Sequence, residues 1–311
     1  MGPGAVRGHR QRGGHHQERR RGPTGPPHRG ARRRRPTGSR RRPTGSRRRR
    51  TGRGGAAMTG RSVSVRSPWT VGRRLKQPPL VRLYCFPHSG GLPSEYVRWD
   101  RELPGVQVYG ICPPGRGPRV GEPSLTRLPD LVTALLDETE FEPPFVFFGH
   151  SLGALVAFET ARALRARGRT GPQRLIVSAH AAPGTHLGRA PWHALPDDEL
   201  IRLLNESYDS IPEHVSADPH LMAMSLKAIR ADFALLDAHR PRAEDPLAIP
   251  IDAFYGEADT VPLSAIEQWR PHTTRAFRTH RFPGGHFYFR HTDIFDVLGP
   301  LIQAAAAEDR P

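Results

Sequence analysis

A serine between two glycines is the residue of this chain best placed to do chemistry. Residues 149–153 read Gly-His-Ser-Leu-Gly and match the pattern G-x-S-x-G, with Ser151 at the centre. An apolar run precedes this segment and a run rich in alanine and leucine follows it, which indicates a strand, a sharp turn and a helix. That context is typical of a nucleophile elbow, in which glycines admit the tight turn and the first helical amides face the reacting centre. The alternative is a glycine-flanked turn in which the serine merely caps the helix, and the flanks favour a catalytic serine.

A serine hydroxyl is a weak nucleophile until a base removes its proton, and a carboxylate usually orients that base. In chains with this elbow the acid follows the serine and the histidine comes last. The segment Tyr-Gly-Glu-Ala-Asp follows a later strand-like run, and we predict that its Asp259 is the orienting acid. Glu257 is the alternative, whereas Asp252 comes too early because it lies within the strand.

The predicted base is His286, which follows two glycines and another strand-like run. The glycines let the loop bring the imidazole close to Ser151. Loops at the carboxyl ends of parallel strands are also where the active sites of open α/β sheets form. His291 comes five residues later, where we expect the following helix. His150 lies inside the elbow, and we interpret it as a packing or supporting residue.

Acyl transfer through a serine also requires N–H donors for the negative oxygen of the intermediate. The backbone amide of Leu152, directly after the serine, is one predicted donor. The second normally comes from the loop after an early strand, here residues 86–91, and we assign it to the amide of Ser89. An ordinary glycine-rich turn is the alternative interpretation of this loop.

Short apolar runs alternate with helical segments from about residue 78 onward. This alternation predicts an α/β protein with a mostly parallel sheet covered by helices on both faces. The predicted strands are 80–86, 106–111, 145–148, 175–178, 251–255 and 278–282, and helices are predicted at 128–136 and up to residue 164.

One region lacks any strand pattern. Residues 195–240 contain helical segments that begin at Asp197 and Pro219, between two predicted strands. We therefore expect a helical lid over Ser151 at about 190–243. The alternative is a peripheral helical pair that only adds core.

The charge of the chain is concentrated in its first 57 residues. They hold 19 of the 47 basic residues, all arginine, and one acid, Glu18, whereas the other 254 residues hold 28 basic and 29 acidic side chains. We expect 1–57 to be a disordered Arg/Gly/Pro-rich tail, 58–77 a flexible lead-in and 78–311 the catalytic domain. The tail could bind nucleic acid or acidic surfaces by charge alone. We favour the reading that translation begins at Met58 and that the tail is a gene-start artefact.

The sequence shows no feature of a secreted or membrane-spanning protein. No apolar core follows the arginines and no apolar run is long enough to cross a bilayer, so we expect neither a secretory signal nor a membrane span. Cys85 and Cys112 are expected to be buried, unpaired thiols, with the cytoplasm as the compartment.

Six segments that occur in order resemble a known family. They are Cys-Phe-Pro-His-Ser-Gly-Gly at 85–91, Pro-Gly-Arg-Gly at 114–117, the elbow, Arg-Ala-Asp-Phe at 230–233, Gly-x-x-Asp at 256–259 and Gly-Gly-His-Phe at 284–287. Together they resemble the type II thioesterases that accompany polyketide synthases and non-ribosomal peptide synthetases. The resemblance covers about residues 78–305 and implies an α/β-hydrolase fold with a helical lid.

This resemblance implies an editing activity on carrier proteins. Type II thioesterases hydrolyse stalled or wrong acyl groups from the phosphopantetheine thiol of acyl or peptidyl carrier proteins. The implied triad is Ser151, Asp259 and His286, which forms an acyl-enzyme and needs no metal or organic cofactor. We expect the folded part to act as a monomer and to bind no nucleic acid or membrane.

The chain departs from the family pattern at three positions. Ser89 stands where the family often has alanine, and Leu152 where it often has methionine. Both would donate through the backbone, so the chemistry should survive. His239 stands near a position that tends to be aromatic in the family, which affects the expected packing of the lid.

Two other functions compete with this interpretation. A small-molecule carboxylesterase or lipase on the same fold would use the same residues and would prefer simple esters. A non-enzymatic nucleic-acid binder would depend on the arginine tail and would be indifferent to Ser151→Ala.

Overall fold

A single mixed sheet of eight strands runs through the described part of the computed structural model, which comprises residues 63–185, 191–208 and 211–307. The predicted tail at 1–57 lies outside these residues. The strands are β1 Val63–Ser67, β2 Thr70–Arg73, β3 Val81–Phe86, β4 Val106–Ile111, β5 Phe145–His150, β6 Arg174–Ser178, β7 Ile251–Gly256 and β8 Phe277–Phe282. Their spatial order is β1-β2-β4-β3-β5-β6-β7-β8. All neighbours from β4 to β8 are parallel, so the predicted mostly parallel sheet is confirmed.

Helices follow most of the strands. They are α1 Ser94–Val97, α2 Leu128–Glu138, α3 Leu152–Ala166, α4 Asp197–Tyr208, α5 Glu213–Ser216, α6 Pro219–Ala238, α7 Leu263–Glu267 and α8 Phe295–Ala307. Short 3-10 helices lie at Arg98–Arg101, Gly117–Arg119, Trp192–Ala194, Arg270–His272 and Tyr288–Arg290.

The burial of the central strand β5 on both faces explains why its first four residues are all apolar. Phe145 and Phe147 pack into the cluster on the face covered by α2 and α3. Val146 and Phe148 pack into the cluster on the opposite face, which α8 covers. Because successive side chains of a strand point to opposite faces, a strand buried on both faces must be apolar at every position. The predicted α/β architecture is therefore confirmed.

The expectation of a flexible lead-in at 58–77 is wrong for residues 63–73. Strands β1 and β2 pair antiparallel with each other, and β2 pairs antiparallel with β4. Trp69 between them is only 1% exposed and donates its indole N–H to Glu138 at 3.1 Å. The alternation of Val-Ser-Val-Arg-Ser from Val63 is the period of a half-buried strand, and it identifies this hairpin in retrospect.

The helical insertion has a small core of its own. Helices α4, α5 and α6 lie between β6 and β7, as the missing strand pattern predicted. Trp192, Leu200 and Leu204 pack with Ile229 and Phe233 of α6 in this core. None of the helices described here is long and apolar enough to cross a membrane.

The parallel strands bring their following loops to one edge of the sheet. The loops after β3, β4 and β5 carry the segments Pro-His-Ser-Gly-Gly, Pro-Gly-Arg-Gly and the serine turn. The loops after β7 and β8 carry the predicted acid and the predicted base. Five of the six segments that carry the family resemblance thus begin at the same edge.

Candidate active site

Ser151 occupies a strained turn between β5 and α3. Its backbone has φ 54° and ψ −124°, a left-handed conformation that non-glycine residues rarely adopt. Its amide donates to the carbonyl of Ser178 at 2.8 Å, which ties the turn to β6. The side chain makes no capping hydrogen bond to α3. The alternative of a serine that merely caps the helix is therefore contradicted.

The two glycines of the elbow are required by close backbone approaches. A Cβ atom on Gly149 would lie 2.2 Å from the carbonyl oxygen of Gly153. A Cβ atom on Gly153 would lie 2.0 Å from the carbonyl oxygen of Phe86, in the strand before the predicted oxyanion loop. The second glycine thus lets the start of α3 pack directly against the end of β3.

His286 and Asp259 are joined by a hydrogen bond. His286 Nδ1 lies 3.0 Å and 3.1 Å from the two carboxylate oxygens of Asp259, and the exposed fractions of the two side chains are 3% and 0%. A carboxylate is an acceptor only, so the ring donates through Nδ1 and its Nε2 atom is left for other chemistry. The predicted acid and base are therefore in contact.

The loops after β7 and β8 meet through their backbones. The amide of Ala258 donates to the carbonyl of Gly284 at 2.9 Å. A Cβ atom on Gly256 would lie 2.3 Å from the carbonyl oxygen of Gly285, so only glycine permits this approach. These contacts explain how residues 27 positions apart come to share a hydrogen bond.

The alternative acids are engaged elsewhere. Glu257 is about half exposed, and its carboxylate lies 3.7 Å from Arg281 Nε. Asp252 is buried in an ion pair with Arg174 and also accepts from His280 at 2.7 Å. Neither carboxylate contacts His286.

Two other histidines near the serine are buried and neutral. Burial lowers the pKa of His88 to about 4, partly offset by the Glu95 carboxylate, and lowers the pKa of His150 well below its usual range. His150 Nδ1 lies 2.8 Å from the Ser178 hydroxyl, whose oxygen lies 2.6 Å from that of Tyr288. This position agrees with the packing or supporting role predicted for His150.

The expectation that His291 lies on the following helix is wrong. It lies between the 3-10 helix Tyr288–Arg290 and α8. Its amide donates to the carbonyl of Tyr288, so the residue belongs to the tight turn that ends the 3-10 helix. Cys85 and Cys112 are buried and free, as predicted.

Ser151, Ser89 and His286 line one cavity of about 520 Å³. Its walls include apolar side chains of the elbow helix and of the helical insertion, among them Leu155 and Phe233. Among the described residues, the Ser151 hydroxyl has no hydrogen-bond partner, so the structure records no direct bond from it to His286. The three residues nevertheless open onto the same space.

Of the two predicted oxyanion donors, Ser89 lines this cavity and Leu152 directly follows Ser151, which also lines it. Neither the amide of Leu152 nor that of Ser89 donates to another described residue. Leu152 is the first residue of α3, where a helical amide has no acceptor within its own helix. Both amides are thus free to receive a negative oxygen.

The sequence did not reveal two features of the site. Tyr208, at the end of α4, places its ring 4.3 Å from the ring of His286, and no motif marks this residue. Asp232 of the Arg-Ala-Asp-Phe segment forms a buried ion pair with Arg116 of the Pro-Gly-Arg-Gly segment. The motifs singled out both residues, but nothing in the spacing indicated that they meet across 116 positions.

Known proteins resemble the chain along most of its folded length. The profile of the family described as Thioesterase domain matches residues 81–301. The gramicidin S biosynthesis protein GrsT of Aneurinibacillus migulanus is 34% identical over 230 residues, which are 73% of this chain and 90% of that protein. Thioesterase PikA5 of Streptomyces venezuelae is 34% identical over 262 residues, or 81% of this chain and 92% of that protein.

A solved structure extends the comparison to the fold. The type II thioesterase BorB from the borrelidin biosynthetic cluster superposes with a TM-score of 0.69 at 32% identity, covering 78% of this chain and all of that one. The chain therefore belongs to the thioesterase family with the α/β-hydrolase fold, and it is a serine hydrolase that cleaves thioesters.

Proposed function

We propose that the chain hydrolyses acyl thioesters on the phosphopantetheine arm of acyl or peptidyl carrier proteins, using Ser151, His286 and Asp259 as its triad. The observation that carries the triad is the Asp259–His286 hydrogen bond beside a serine that no capping interaction engages. Ser151 and His286 line one cavity, and Asp259 holds the His286 ring there.

The chemistry follows from the state of each group. His286 Nε2 takes the proton of the Ser151 hydroxyl as its oxygen attacks the thioester carbonyl. Asp259 holds the Nδ1 proton and stabilises the imidazolium that forms. The thiol leaves with that proton, and His286 then activates a water that hydrolyses the acyl-enzyme. A hydrogen bond between Ser151 and His286 is expected to form when substrate is bound, since catalytic hydrogen bonds are often long or absent in the free enzyme.

The amides of Leu152 and Ser89 supply the oxyanion site in this proposal. They come from different loops, one from the start of α3 and one from the loop after β3. The close packing of Gly153 against Phe86 fixes the distance between these loops. Preorganised donors of this kind usually account for a large part of the catalysis of acyl transfer.

The carrier-bound substrate is supported by the relatives and by the shape of the site. GrsT is named for gramicidin S biosynthesis, and BorB comes from the borrelidin biosynthetic cluster. The apolar wall formed by Leu155, Leu204, Phe233 and Leu236 suits the acyl group. Tyr208 over His286 supports the role of the helical insertion as a lid on the catalytic domain. The reaction as drawn uses protein groups and water alone.

A comparison of hydrolysis rates on two classes of substrate tests this proposal. The full chain is incubated with carrier proteins loaded with different acyl groups, and separately with p-nitrophenyl esters of the same acids. Mass spectrometry of the carriers and absorbance of the phenolate measure the two rates. We expect kcat/KM to be at least about 10-fold higher for the carriers, because only they present the pantetheine thioester.

Two variants make the result specific to the proposed nucleophile. Ser151→Ala is expected to abolish the hydrolysis, whereas Ser264→Ala, on the exposed side of α7, serves as the matched control and should behave as the unaltered chain. A preference for the simple esters would instead identify a small-molecule esterase. Retention of carrier hydrolysis in Ser151→Ala would reject the triad.

A further inference from the structure

A buried ion pair joins the helical insertion to the loops at the sheet edge. Arg116 donates to both carboxylate oxygens of Asp232, from Nη1 to Oδ2 and from Nη2 to Oδ1, each at 2.6 Å. The exposed fractions of the two side chains are 5% and 2%. Burial on its own lowers the pKa of Arg116, but the Asp232 carboxylate outweighs it and raises that pKa above the ordinary value. The Arg116 guanidinium therefore stays protonated in this buried site.

The carboxylate of Asp232 has a third partner in the predicted oxyanion loop. The backbone amide of Gly90 donates to Oδ2 at 2.7 Å. Gly90 directly follows Ser89, whose own amide is a proposed oxyanion donor. Asp232 thus holds the amide of the residue that directly follows the proposed oxyanion donor.

The geometry of this loop shows what the contact fixes. The amide of Gly91 donates to the carbonyl of His88 at 2.8 Å, which closes a turn with Ser89 and Gly90 at its two central positions. Gly90 has φ +75°, as the second central residue of a type II turn requires. A Cβ atom there would lie 2.4 Å from Cγ1 of Ile229 on α6. The turn therefore rests directly on the helix that carries Asp232.

We propose that Asp232 is a positioning residue that orients the Ser89 amide for the oxyanion by holding the adjacent Gly90 amide, with Arg116 fixing the carboxylate. This inference rests on the proposed function. The Ser89 N–H belongs to the His88–Ser89 peptide, whose carbonyl closes the turn by accepting from Gly91. Rotation of this turn as a whole would therefore point the Ser89 amide away from the cavity. Asp232 opposes that rotation through Gly90, and the bidentate contact with Arg116 opposes rotation of Asp232 itself.

A role in stability alone does not account for this arrangement. A buried ion pair is weak evidence for stability, because apolar residues of similar volume often replace such a pair at no cost. Here the same carboxylate also accepts from a backbone amide next to the reacting centre. It joins three segments distant in sequence, namely the loop after β3, the loop after β4 and helix α6.

The test compares binding of the transition state with binding of the ground state. Asp232→Asn keeps the size of the side chain but replaces one acceptor oxygen with an NH₂ group that cannot accept from Arg116. For this variant and the unaltered full chain, kcat and KM are measured with an acyl thioester. Inhibition is measured with an acyl trifluoromethyl ketone, because its covalent adduct with the serine carries a negative oxygen at the proposed oxyanion site. Ground-state binding is measured with an unreactive acyl-pantetheine thioether.

We expect kcat to fall by about 10- to 100-fold in Asp232→Asn, with KM and thioether affinity within about 2-fold. Affinity for the ketone should fall by the same factor as kcat. Arg116→Lys keeps the charge but loses the bidentate geometry, so it should give a smaller loss with the same pattern. If Asp232→Asn fails to fold, the kinetics of Arg116→Lys test the proposal instead.

Asp252→Asn is the matched control, because it also breaks a buried Arg–Asp pair, between Arg174 of β6 and Asp252 of β7, outside the cavity. It should lower Tm and leave kcat and ketone affinity unchanged. Unchanged kcat and ketone affinity in both Asp232→Asn and Arg116→Lys would overturn the proposal, as would an equal loss in Asp252→Asn. Failure of the proposed function looks different, since hydrolysis would then survive Ser151→Ala.

Discussion

At the scale of single residues, contact with an aspartate does not by itself identify a base. Among the described residues, histidine–aspartate hydrogen bonds occur at His193, His280 and His286. Of these three histidines, only His286 lines the cavity that contains Ser151. The rings of the other two pairs lie outside the cavity: His193 bonds to Asp237, which lines the cavity, and His280 bonds to Asp252, which does not. Position at the sheet edge, more than the type of residue, distinguishes the proposed base.

The choice between the two candidate acids can be tested directly. Asp259→Asn is expected to lower kcat by about 10³- to 10⁴-fold, because the Nδ1 proton loses its carboxylate acceptor and the imidazolium its counter-charge. Glu257→Gln, on the neighbouring exposed carboxylate, should change kcat less than about 2-fold, since surface charges of this kind contribute little. Steady-state kinetics with an acyl thioester measures both. The opposite ranking would make Glu257 the orienting acid.

The base itself is tested by removal of its ring. His286→Ala should lower kcat by about 10⁴-fold or more, while far-ultraviolet circular dichroism shows the unaltered fold. His280→Ala is the matched control, because that ring also contacts an aspartate but lies on β8 outside the cavity. Comparable losses of activity in the two variants would remove the case for His286 as the base.

At the scale of elements, the catalytic groups depend on how closely β3, β5 and α3 approach one another. The start of α3 lies against the end of β3, with no room for a side chain at Gly153. That contact sets the separation of the two proposed oxyanion donors. A change there should disturb folding and catalysis together.

Gly153→Ala is expected to lower the free energy of unfolding by about 2 kcal/mol or more, since its Cβ would lie 2.0 Å from the Phe86 carbonyl oxygen. Urea denaturation of the full chain measures this loss. Gly171→Ala is the control, because no atom lies within 4 Å of the Cβ it would add. Equal stability of the two variants would contradict the packing described for the elbow.

Elements buried on both faces were predictable from the sequence, and those that depend on distant pairing were not. The apolar run of β5 and the helix after it were predicted within a few residues, because burial dictates every position there. The hairpin of β1 and β2 was missed, since its strands are short and lie at the sheet edge. The site followed the same rule: strand ends located Asp259 and His286, whereas Tyr208 and the Arg116–Asp232 pair depend on packing between distant segments.

At the scale of the whole molecule, buried neutral histidines link stability to pH. His88 is 8% exposed, and burial lowers its pKa from 6.5 to about 4. Between pH 4 and pH 6.5 the His88 imidazole is protonated in the unfolded chain and neutral in the folded chain. This contribution to stability is therefore intact above about pH 6.5 and decreases as the pH falls toward 4. His150 acts in the same direction, because burial also lowers its pKa.

We expect His88→Gln to remove about 2 kcal/mol of the decrease in the free energy of unfolding between pH 7 and pH 5. Urea denaturation at the two pH values, on both proteins, isolates this difference from the titration of carboxylates, which is common to them. His220→Gln on the exposed start of α6 is the control and should retain the full pH dependence. An unchanged pH dependence in His88→Gln would show that folding does not lower the pKa of this ring.

The central claim is that Ser151 carries the acyl group during turnover. Full-length protein is mixed with an acyl-loaded carrier protein, quenched in acid within a single turnover, digested and mapped by mass spectrometry. The account predicts a transient acyl adduct on the peptide that contains Ser151, absent in Ser151→Ala. Release of free acid with no adduct on that peptide at any time, together with undiminished hydrolysis by Ser151→Ala, would contradict it.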